Sequence, residues 1–183
     1  VLIGIFAAAL LLLAAIPVHA QSLPQDTVRI LRDADGAQRC SAVVIAPGKA
    51  LTAKHCLTED GTFINVDGLH VEQSVTFSNP AKDVAVLNVP GLQCPCAVLG
   101  KSPAVGDQVI AVGFPGSLEG DRQISAVGRV KMVGPSALSK FIPEMPVEEL
   151  GPWATADYII SDPIISPGYS GGGLFAMQDG EWR

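Results

Sequence analysis

The stretch Pro167–Leu174, PGYSGGGL, places a serine in a turn of glycines that leads into an apolar run. Small residues let the backbone wrap closely around the Ser170 hydroxyl and leave neighbouring N–H groups free to face a reacting carbonyl. Acyl transfer requires this arrangement, but a glycine-rich turn before a strand is more often structural. The turn therefore indicates chemistry only if the chain also supplies a base and a group that orients it.

One of the three histidines is a good candidate for that base. His19 lies in a charge-free N-terminal segment, and His70 fits an ordinary strand or turn residue. His55 ends a small, apolar approach, ALTAKH at residues 50–55, and Cys56 follows it directly. A structural role is the default for any lone histidine, but His55 is the strongest candidate in this chain.

A catalytic histidine needs a carboxylate that holds its ring in one tautomer, and a buried acid does this best. Asp83, in KDVAVL at residues 82–87, is the acid that leads directly into an apolar run. Asp60, Asp67 and Asp107 lie in turns next to glycine, where we expect them to be solvated. Asp83 could equally cap a turn before a strand, so its interpretation depends on the other two residues.

The order of the three candidates along the chain indicates a family, which no single motif does. TAKHC at residues 52–56, DVAVL at 83–87 and GYSGGGL at 168–174 resemble, in order, the signature segments of chymotrypsin-like (trypsin-fold) serine peptidases. Within that group, DPIISPGYSGG at 162–172 is most similar to the nucleophile loop of the bacterial HtrA/Deg and related secreted peptidases. VIAVGFPG at 109–116 is similar to the strand and turn that open their second barrel.

The resemblance runs from about residue 28 onward and implies an all-β fold of two six-stranded antiparallel β-barrels. The first barrel, residues 21–98, would hold the candidate base and acid. An incomplete second barrel, residues 99–183, would hold the serine. In the resembled family further strands follow the position that corresponds to residue 183, so the chain is expected to be a fragment of a longer protein.

Short apolar runs separated by Gly, Pro, Asn and Asp agree with a mostly β chain. The stretch 134–153 is rich in proline and acids and is predicted to be a long loop. The predicted strands are Val28–Leu31, Cys40–Ile45, Ala50–Thr52, His70–Phe77, Val84–Val89, Gln108–Gly113, Ile124–Val133 and Tyr158–Ser161.

For function, the resemblance implies a serine endopeptidase that hydrolyses peptides or proteins through an acyl-enzyme, with no metal and no cofactor. His55 would take the proton of Ser170, and Asp83 would hold the imidazole ring. The N–H groups of Gly168 and Ser170 would form the oxyanion hole. Ile164, six residues before the serine, would line an apolar pocket for the substrate side chain.

Two positions depart from the resembled pattern. Tyr169 stands where the digestive enzymes carry an acid that pairs with a newly cut N-terminus, and Gly173 replaces the usual proline. These departures leave open an alternative, a catalytically inactive trypsin-fold binding or scaffold protein of the cell envelope. An α/β-hydrolase esterase fits less well, because its histidine follows its serine, whereas His55 precedes Ser170.

The four cysteines allow three pairings. A bridge between Cys40 and Cys56 would resemble the one that clamps the histidine loop in many chymotrypsin-like enzymes. Cys94 and Cys96 are separated by one residue, and their pairing stays open. Disulfides of this kind require an oxidising compartment.

Composition agrees with export to such a compartment. Residues 1–20 carry no Asp, Glu, Lys or Arg, and an apolar run followed by PVHA predicts a signal peptide that lacks its beginning. The protein would then be secreted or periplasmic, with no stable membrane span after cleavage. The net charge of −6 argues against a nucleic-acid partner, which would require a basic patch.

Overall fold

The computed structural model describes residues 23–33, 35–36, 38–57, 64–71, 75–79, 83–116, 121–135, 137–146, 157–162 and 167–183. The predicted signal segment lies outside them. The strands are β1 (Val28–Arg32), β2 (Gln38–Ala46), β3 (Lys49–Ala53), β4 (Ile64–Val66), β5 (Leu69–Val71), β6 (Val75–Asn79), β7 (Val84–Asn88), β8 (Gln108–Gly113), β9 (Ile124–Pro135), β10 (Asp157–Ser161), β11 (Gly173–Gln178) and β12 (Glu181–Trp182). The helices are α1 (Pro24–Thr27) and α2 (Ala137–Phe141), and a 3-10 turn spans Lys54–Cys56.

The strands form two antiparallel sheets. The order in the first sheet is β5-β4-β1-β2-β3-β7-β6, and the order in the second is β10-β9-β8-β11-β12. The stretch 89–107, which contains no strand, connects them. The predicted all-β, trypsin-like fold is confirmed. Among the described residues the first sheet has seven strands, where six were expected, and the second has five, where an incomplete barrel of six was expected.

The predicted strand His70–Phe77 is wrong as a single element. β5 pairs with β4, and β6 pairs with β7, so the two halves lie at opposite ends of the strand order. An apolar run records burial but not the identity of the pairing strand, so the sequence could not separate them. The other seven predicted strands coincide with β1, β2, β3, β7, β8, β9 and β10 to within about two residues at most ends.

Three strands and both helices, α1 and α2, are absent from the sequence prediction. β4 and β12 are too short to show an alternation of apolar and polar residues, and β11 begins inside the glycine run. Within the predicted long loop 134–153, β9 extends to Pro135 and α2 follows. Residues 147–153 of that loop lie outside the described residues.

β2 is buried on both faces, and this burial connects the two sheets. Its even-numbered side chains at positions 40–44 belong to the apolar core of the first sheet. Val43 belongs instead to a cluster with Val112 and Phe175 of the second sheet. Because side chains alternate between the faces of a strand, the fully buried Ser41 lies on the face toward the second sheet.

Among the described residues, no helix has the length and apolar character needed to cross a membrane.

Candidate active site

Two neighbouring strands bring His55 and Asp83 together. β3 and β7 run antiparallel, and Ala53 at the end of β3 pairs with Val84 at the start of β7. His55 follows β3 in the 3-10 turn, and Asp83 directly precedes β7. Both residues therefore stand at the same end of the sheet, and a single strand pairing explains why they meet.

Three contacts join Asp83 to this histidine turn. Its Oδ2 lies 2.6 Å from His55 Nδ1, and its Oδ1 accepts a hydrogen bond of 2.8 Å from the His55 backbone N–H. Its carbonyl accepts a bond of 3.0 Å from the Lys54 N–H. Asp83 has a left-handed backbone with φ of 50°, which Asp tolerates better than most residues. The acid is thus fixed at both its side chain and its main chain.

The contact with Asp83 decides which ring nitrogen of His55 is free. An ionised carboxylate only accepts hydrogen bonds, so Nδ1 carries a proton toward Asp83 and Nε2 is left as the acceptor in the neutral ring. The Asp83 side chain is 20% exposed and the His55 side chain 57%. The acid is shielded while the ring faces solvent, which suits a general base that must reach an incoming substrate.

The serine loop, residues 167–172, packs so closely that none of its three glycines has room for a side chain. Gly168 has φ of 100° and Gly171 has φ of 77°, in the region that L-residues rarely adopt. A Cβ on Gly168 would collide with the backbone at residues 114–116. A Cβ on Gly171 would collide with the backbone of β2 and the Thr52 hydroxyl. The glycines thus place the serine loop against both sheets.

The backbone of the serine loop leaves two N–H groups available to a ligand. The carbonyls of Pro167 and Tyr169 accept backbone hydrogen bonds of 2.9 and 2.7 Å. Across a trans peptide the C=O and the next N–H point in opposite directions. The N–H groups of Gly168 and Ser170 therefore point away from these bonds, and neither has an acceptor within the described ranges.

A disulfide links β2 to the histidine turn beneath the site. It joins Cys40 to Cys56, with a Cα–Cα distance of 6.0 Å. Cys56 Sγ lies 3.7 Å from the Ser170 carbonyl oxygen, and a His55 ring nitrogen lies within 4.8 Å of both sulfurs. The histidine turn and the serine loop thus contact the same bridge. Since the two sulfurs are bonded to each other, they are not the thiolates that a metal would require.

The Ser170 hydroxyl makes no hydrogen bond to His55 within the part of the chain that the structure describes. Hydrogen bonds of this kind are often long in a free enzyme and tighten in the enzyme–substrate complex. The contact of Cys56 Sγ with the Ser170 carbonyl nevertheless places the main chain of Ser170 next to the histidine turn.

Tyr169, one of the two residues that depart from the resembled pattern, packs its ring against β8. Its side chain is 6% exposed, and its hydroxyl donates to the Ile124 carbonyl at 3.3 Å. Its ring lies against Gly113, where a Cβ would collide with it. Burial raises the pKa of the Tyr169 hydroxyl above its ordinary value of 10.0. A neutral, packed ring thus holds this part of the loop.

Asp162, which directly follows β10, connects the end of that strand to β9. Its Oδ1 accepts a hydrogen bond of 2.6 Å from the Arg129 N–H, and its Oδ2 lies 2.9 Å from Lys131 Nζ. The Arg129 N–H, and after it the Lys131 ammonium group, hold the pKa of Asp162 below its ordinary value of 3.8. Sequence reasoning missed this anchor, although the acid directly follows the predicted strand Tyr158–Ser161 and precedes a proline.

An apolar cavity of about 370 Å³ lies beside the serine loop. Residues of β8, α2, β10, β11 and the serine loop line it: Ala111, Val112, Phe141, Ile159, Ile160, Ser161, Tyr169, Gly172, Gly173 and Leu174. Ile164, which the sequence predicted at the specificity pocket, lies outside the described residues.

Two further features were not predicted from the sequence. Cys94 and Cys96, whose pairing was open, form a disulfide with a Cα–Cα distance of 4.5 Å. Ser41 contacts the serine loop from β2 with both its main chain and its hydroxyl. A serine within an apolar strand gives no local signal for such a role, because the contact spans 127 residues of sequence.

Comparison with known proteins gives the same family from sequence and from fold. The family described as trypsin-like peptidase domain matches residues 40–182. The probable periplasmic serine endoprotease DegP-like of Ectopseudomonas mendocina (strain ymp) is 31% identical over 140 residues. These residues are 74% of this chain but 26% of that protein, so the chain spans about a quarter of its curated relative.

Solved structures show the same fold. The inactive form of the Rv3671c protease of M. tuberculosis has a TM-score of 0.65 at 23% identity, over 87% of this chain and 76% of that one. The HtrA-type protease AlgW, in a variant form with a tripeptide, has a TM-score of 0.64 at 26% identity, over 86% of this chain and 49% of that one.

Proposed function

This chain belongs to the trypsin-like peptidase domain family and is related to the HtrA-type proteases, and we propose that it is a serine endopeptidase with His55, Asp83 and Ser170 as its catalytic triad. Its substrates are peptides or proteins, and neither a metal nor a cofactor takes part.

The observation that carries the proposal is the 2.6 Å contact between Asp83 Oδ2 and His55 Nδ1. This contact leaves Nε2 as the free acceptor on an exposed ring. The Cys40–Cys56 bridge supports the third member, because its sulfur lies 3.7 Å from the Ser170 carbonyl. A base, its orienting acid and a candidate nucleophile thus lie around one disulfide.

In the acylation step, the Ser170 hydroxyl attacks the peptide carbonyl while His55 Nε2 takes its proton. The resulting imidazolium faces the Asp83 carboxylate, which stabilises the positive charge without becoming protonated. His55 then gives the proton to the leaving amine, and the C–N bond breaks. Water repeats the same sequence on the acyl-enzyme and releases the second product.

The negative charge that develops on the carbonyl oxygen is stabilised by the N–H groups of Gly168 and Ser170. Two observations support this role. Neither N–H group has an acceptor among the described residues, and each belongs to a peptide whose carbonyl accepts a backbone hydrogen bond on the opposite side. Preorganised donors need no rearrangement during the reaction, and one such donor contributes about 3 to 4 kcal/mol of transition-state stabilisation.

We also propose that the protein works outside the cytoplasm, as a secreted or periplasmic enzyme. Two disulfides support this location, because reducing compartments disfavour such bonds. The related DegP-like protein is described as periplasmic, and the charge-free segment 1–20 has the composition of an export signal.

The proposal is tested by labelling the purified full chain with a fluorophosphonate probe and comparing it with Ser170→Ala. We expect one labelled serine in the unsubstituted protein and none in the variant, with unchanged circular dichroism. Hydrolysis of casein should fall at least about 1000-fold in the variant. The matched control is Ser102→Ala. Ser102 is an exposed serine in the stretch 89–107 that connects the two sheets, so this variant should be labelled like the unsubstituted protein.

Absence of labelling in the folded, unsubstituted protein would contradict the proposal and favour an inactive scaffold on the trypsin fold. Labelling with ester hydrolysis but no casein cleavage would favour an esterase instead of an endopeptidase.

A further inference from the structure

Ser41 on β2 is fully buried, and each of its polar groups has a partner. Its N–H donates to the Ser170 carbonyl at 2.8 Å. Its hydroxyl donates to the Gly168 carbonyl and accepts from the Phe114 N–H, both at 2.9 Å. Its own carbonyl accepts from the Thr52 hydroxyl at 2.8 Å. One small side chain thus connects the first sheet, the serine loop and the backbone that follows β8.

Four successive carbonyls of the serine loop, residues 167–170, each accept a hydrogen bond, and Ser41 supplies two of the four donors. The carbonyls at 167 and 169 bind the N–H groups of Gly116 and Gly172. Those at 168 and 170 bind the Ser41 hydroxyl and N–H. The candidate oxyanion donors, the N–H groups of Gly168 and Ser170, belong to the two peptides on either side of the Gly168–Tyr169 peptide. A rotation of that middle peptide therefore turns both of its neighbours.

Solvent has little room to replace the Ser41 contacts. Ser41 has no exposed surface, and Gly171 packs so closely that a Cβ there would collide with the Ser41 carbonyl. A buried polar group that loses its partner under such conditions stays unsatisfied or moves to find another. Loss of the hydroxyl would therefore release the Gly168–Tyr169 peptide from its present orientation.

We infer that Ser41 is a positioning residue: its hydroxyl fixes the Gly168–Tyr169 peptide and so aims the N–H groups of Gly168 and Ser170 at the oxyanion. Ser41 acts through the loop and does not touch the substrate. The inference rests on the proposed function, since an oxyanion forms only when Ser170 attacks.

The test is Ser41→Ala, which removes only the hydroxyl and keeps the backbone bond to the Ser170 carbonyl. The full chain is reacted with a fluorophosphonate: Ser170 Oγ bonds to phosphorus, fluoride leaves, and the proton passes to His55. The phosphoryl oxygen then lies where the oxyanion would lie. We expect the maximal labelling rate to fall about 10- to 100-fold. The probe concentration at half-maximal rate should stay within about twofold.

The matched control is Thr27→Val. Thr27 is 2% exposed, and its hydroxyl donates to the Pro24 carbonyl at 2.8 Å, so it is an equally buried hydroxyl that does not bond to the serine loop. We expect its labelling rate to match that of the unsubstituted protein. Wild-type labelling by Ser41→Ala, or an equal slowing in both variants, would overturn the positioning role.

A second measurement does not depend on activity. The amide ¹H–¹⁵N resonances of Gly168 and Ser170 should shift in Ser41→Ala and stay in place in Thr27→Val. Unmoved resonances in Ser41→Ala would overturn the inference even if the protein is active. Failure of the unsubstituted protein to label would overturn the proposed function, while the resonances would still report whether Ser41 holds the loop.

Discussion

The histidine turn, residues 54–56, and the serine loop, residues 167–172, flank one candidate site but are held by different kinds of contact. The histidine turn follows β3 and meets Asp83 at the start of the adjacent β7, with the hydrogen bond between Asp83 and the His55 ring and a disulfide nearby. The serine loop is held by glycine packing and by hydrogen bonds from β2 and from the backbone after β8.

This difference predicts that substitutions in the two regions will have different effects on activity and on stability. At the histidine turn the backbone is fixed by a strand pair that exists without the Asp83 side chain, so a substitution there should change reactivity and leave the fold intact. At the serine loop the same close contacts that aim the backbone also join the two sheets. Substitution of a closely packed glycine of this loop should therefore reduce activity and stability together.

The largest effect is expected from Asp83→Asn. The amide keeps the size of the carboxylate but favours the wrong ring tautomer of His55, so casein hydrolysis should fall about 10⁴-fold. The midpoint of urea unfolding should change little. Asp67→Asn is the matched control, since Asp67 also has a left-handed backbone, with φ of 52°, and pairs with Arg29 at the surface. If Asp83→Asn hydrolysed casein as fast as Asp67→Asn, the role of Asp83 in the reactivity of the histidine turn would be contradicted.

Gly171→Ala should have an intermediate effect that combines both properties. The new Cβ adds a strained φ to collisions with β2 and Thr52, so we expect a loss of about 2 to 6 kcal/mol in the free energy of unfolding. Gly180→Ala is the control: its φ is 81°, yet a Cβ there meets no atom within 4 Å. Urea unfolding and fluorophosphonate labelling measure the pair. Equal losses would show that close packing at Gly171 contributes nothing.

The smallest effect concerns pH and the anchor at Asp162. Its folded pKa is lowered, so the ionised group stabilises the fold above its unfolded pKa. That contribution is lost as the pH falls through the folded value. Because the Arg129 N–H is the larger cause, Lys131→Met should leave the pKa of Asp162 still below 3.8 in an NMR titration. A return to the ordinary value would assign the anchor to the Lys131 ion pair.

Much of the fold was readable because β-strands in this chain coincide with short apolar runs. Gln108–Gly113 was predicted with its observed bounds, and six other runs were close. The run at residues 70–77 failed because its two halves pair with different strands. Pairing is a long-range property, and the local pattern of apolar residues does not encode it.

The candidate site shows the same division. His55, Asp83 and Ser170 could be proposed from residue type, local context and chain order. Ser41 and the bond pattern of the serine loop could not, because a buried serine in an apolar strand looks the same whether or not it has a distant partner.

The sequence by itself determined the family, the β class and the triad candidates, since motif composition and order are local properties. In PGYSGGGL at 167–174, the glycines mark the positions where a closely packed turn has no room for a side chain, and this can be seen in the sequence. Only the tertiary structure decided what those residues pack against: β2, Thr52 and the backbone after β8. Only the structure placed the Gly168 and Ser170 N–H groups, because the carbonyls of this loop are held by hydrogen bonds that include those from Gly116 and, across more than 100 positions of sequence, from Ser41.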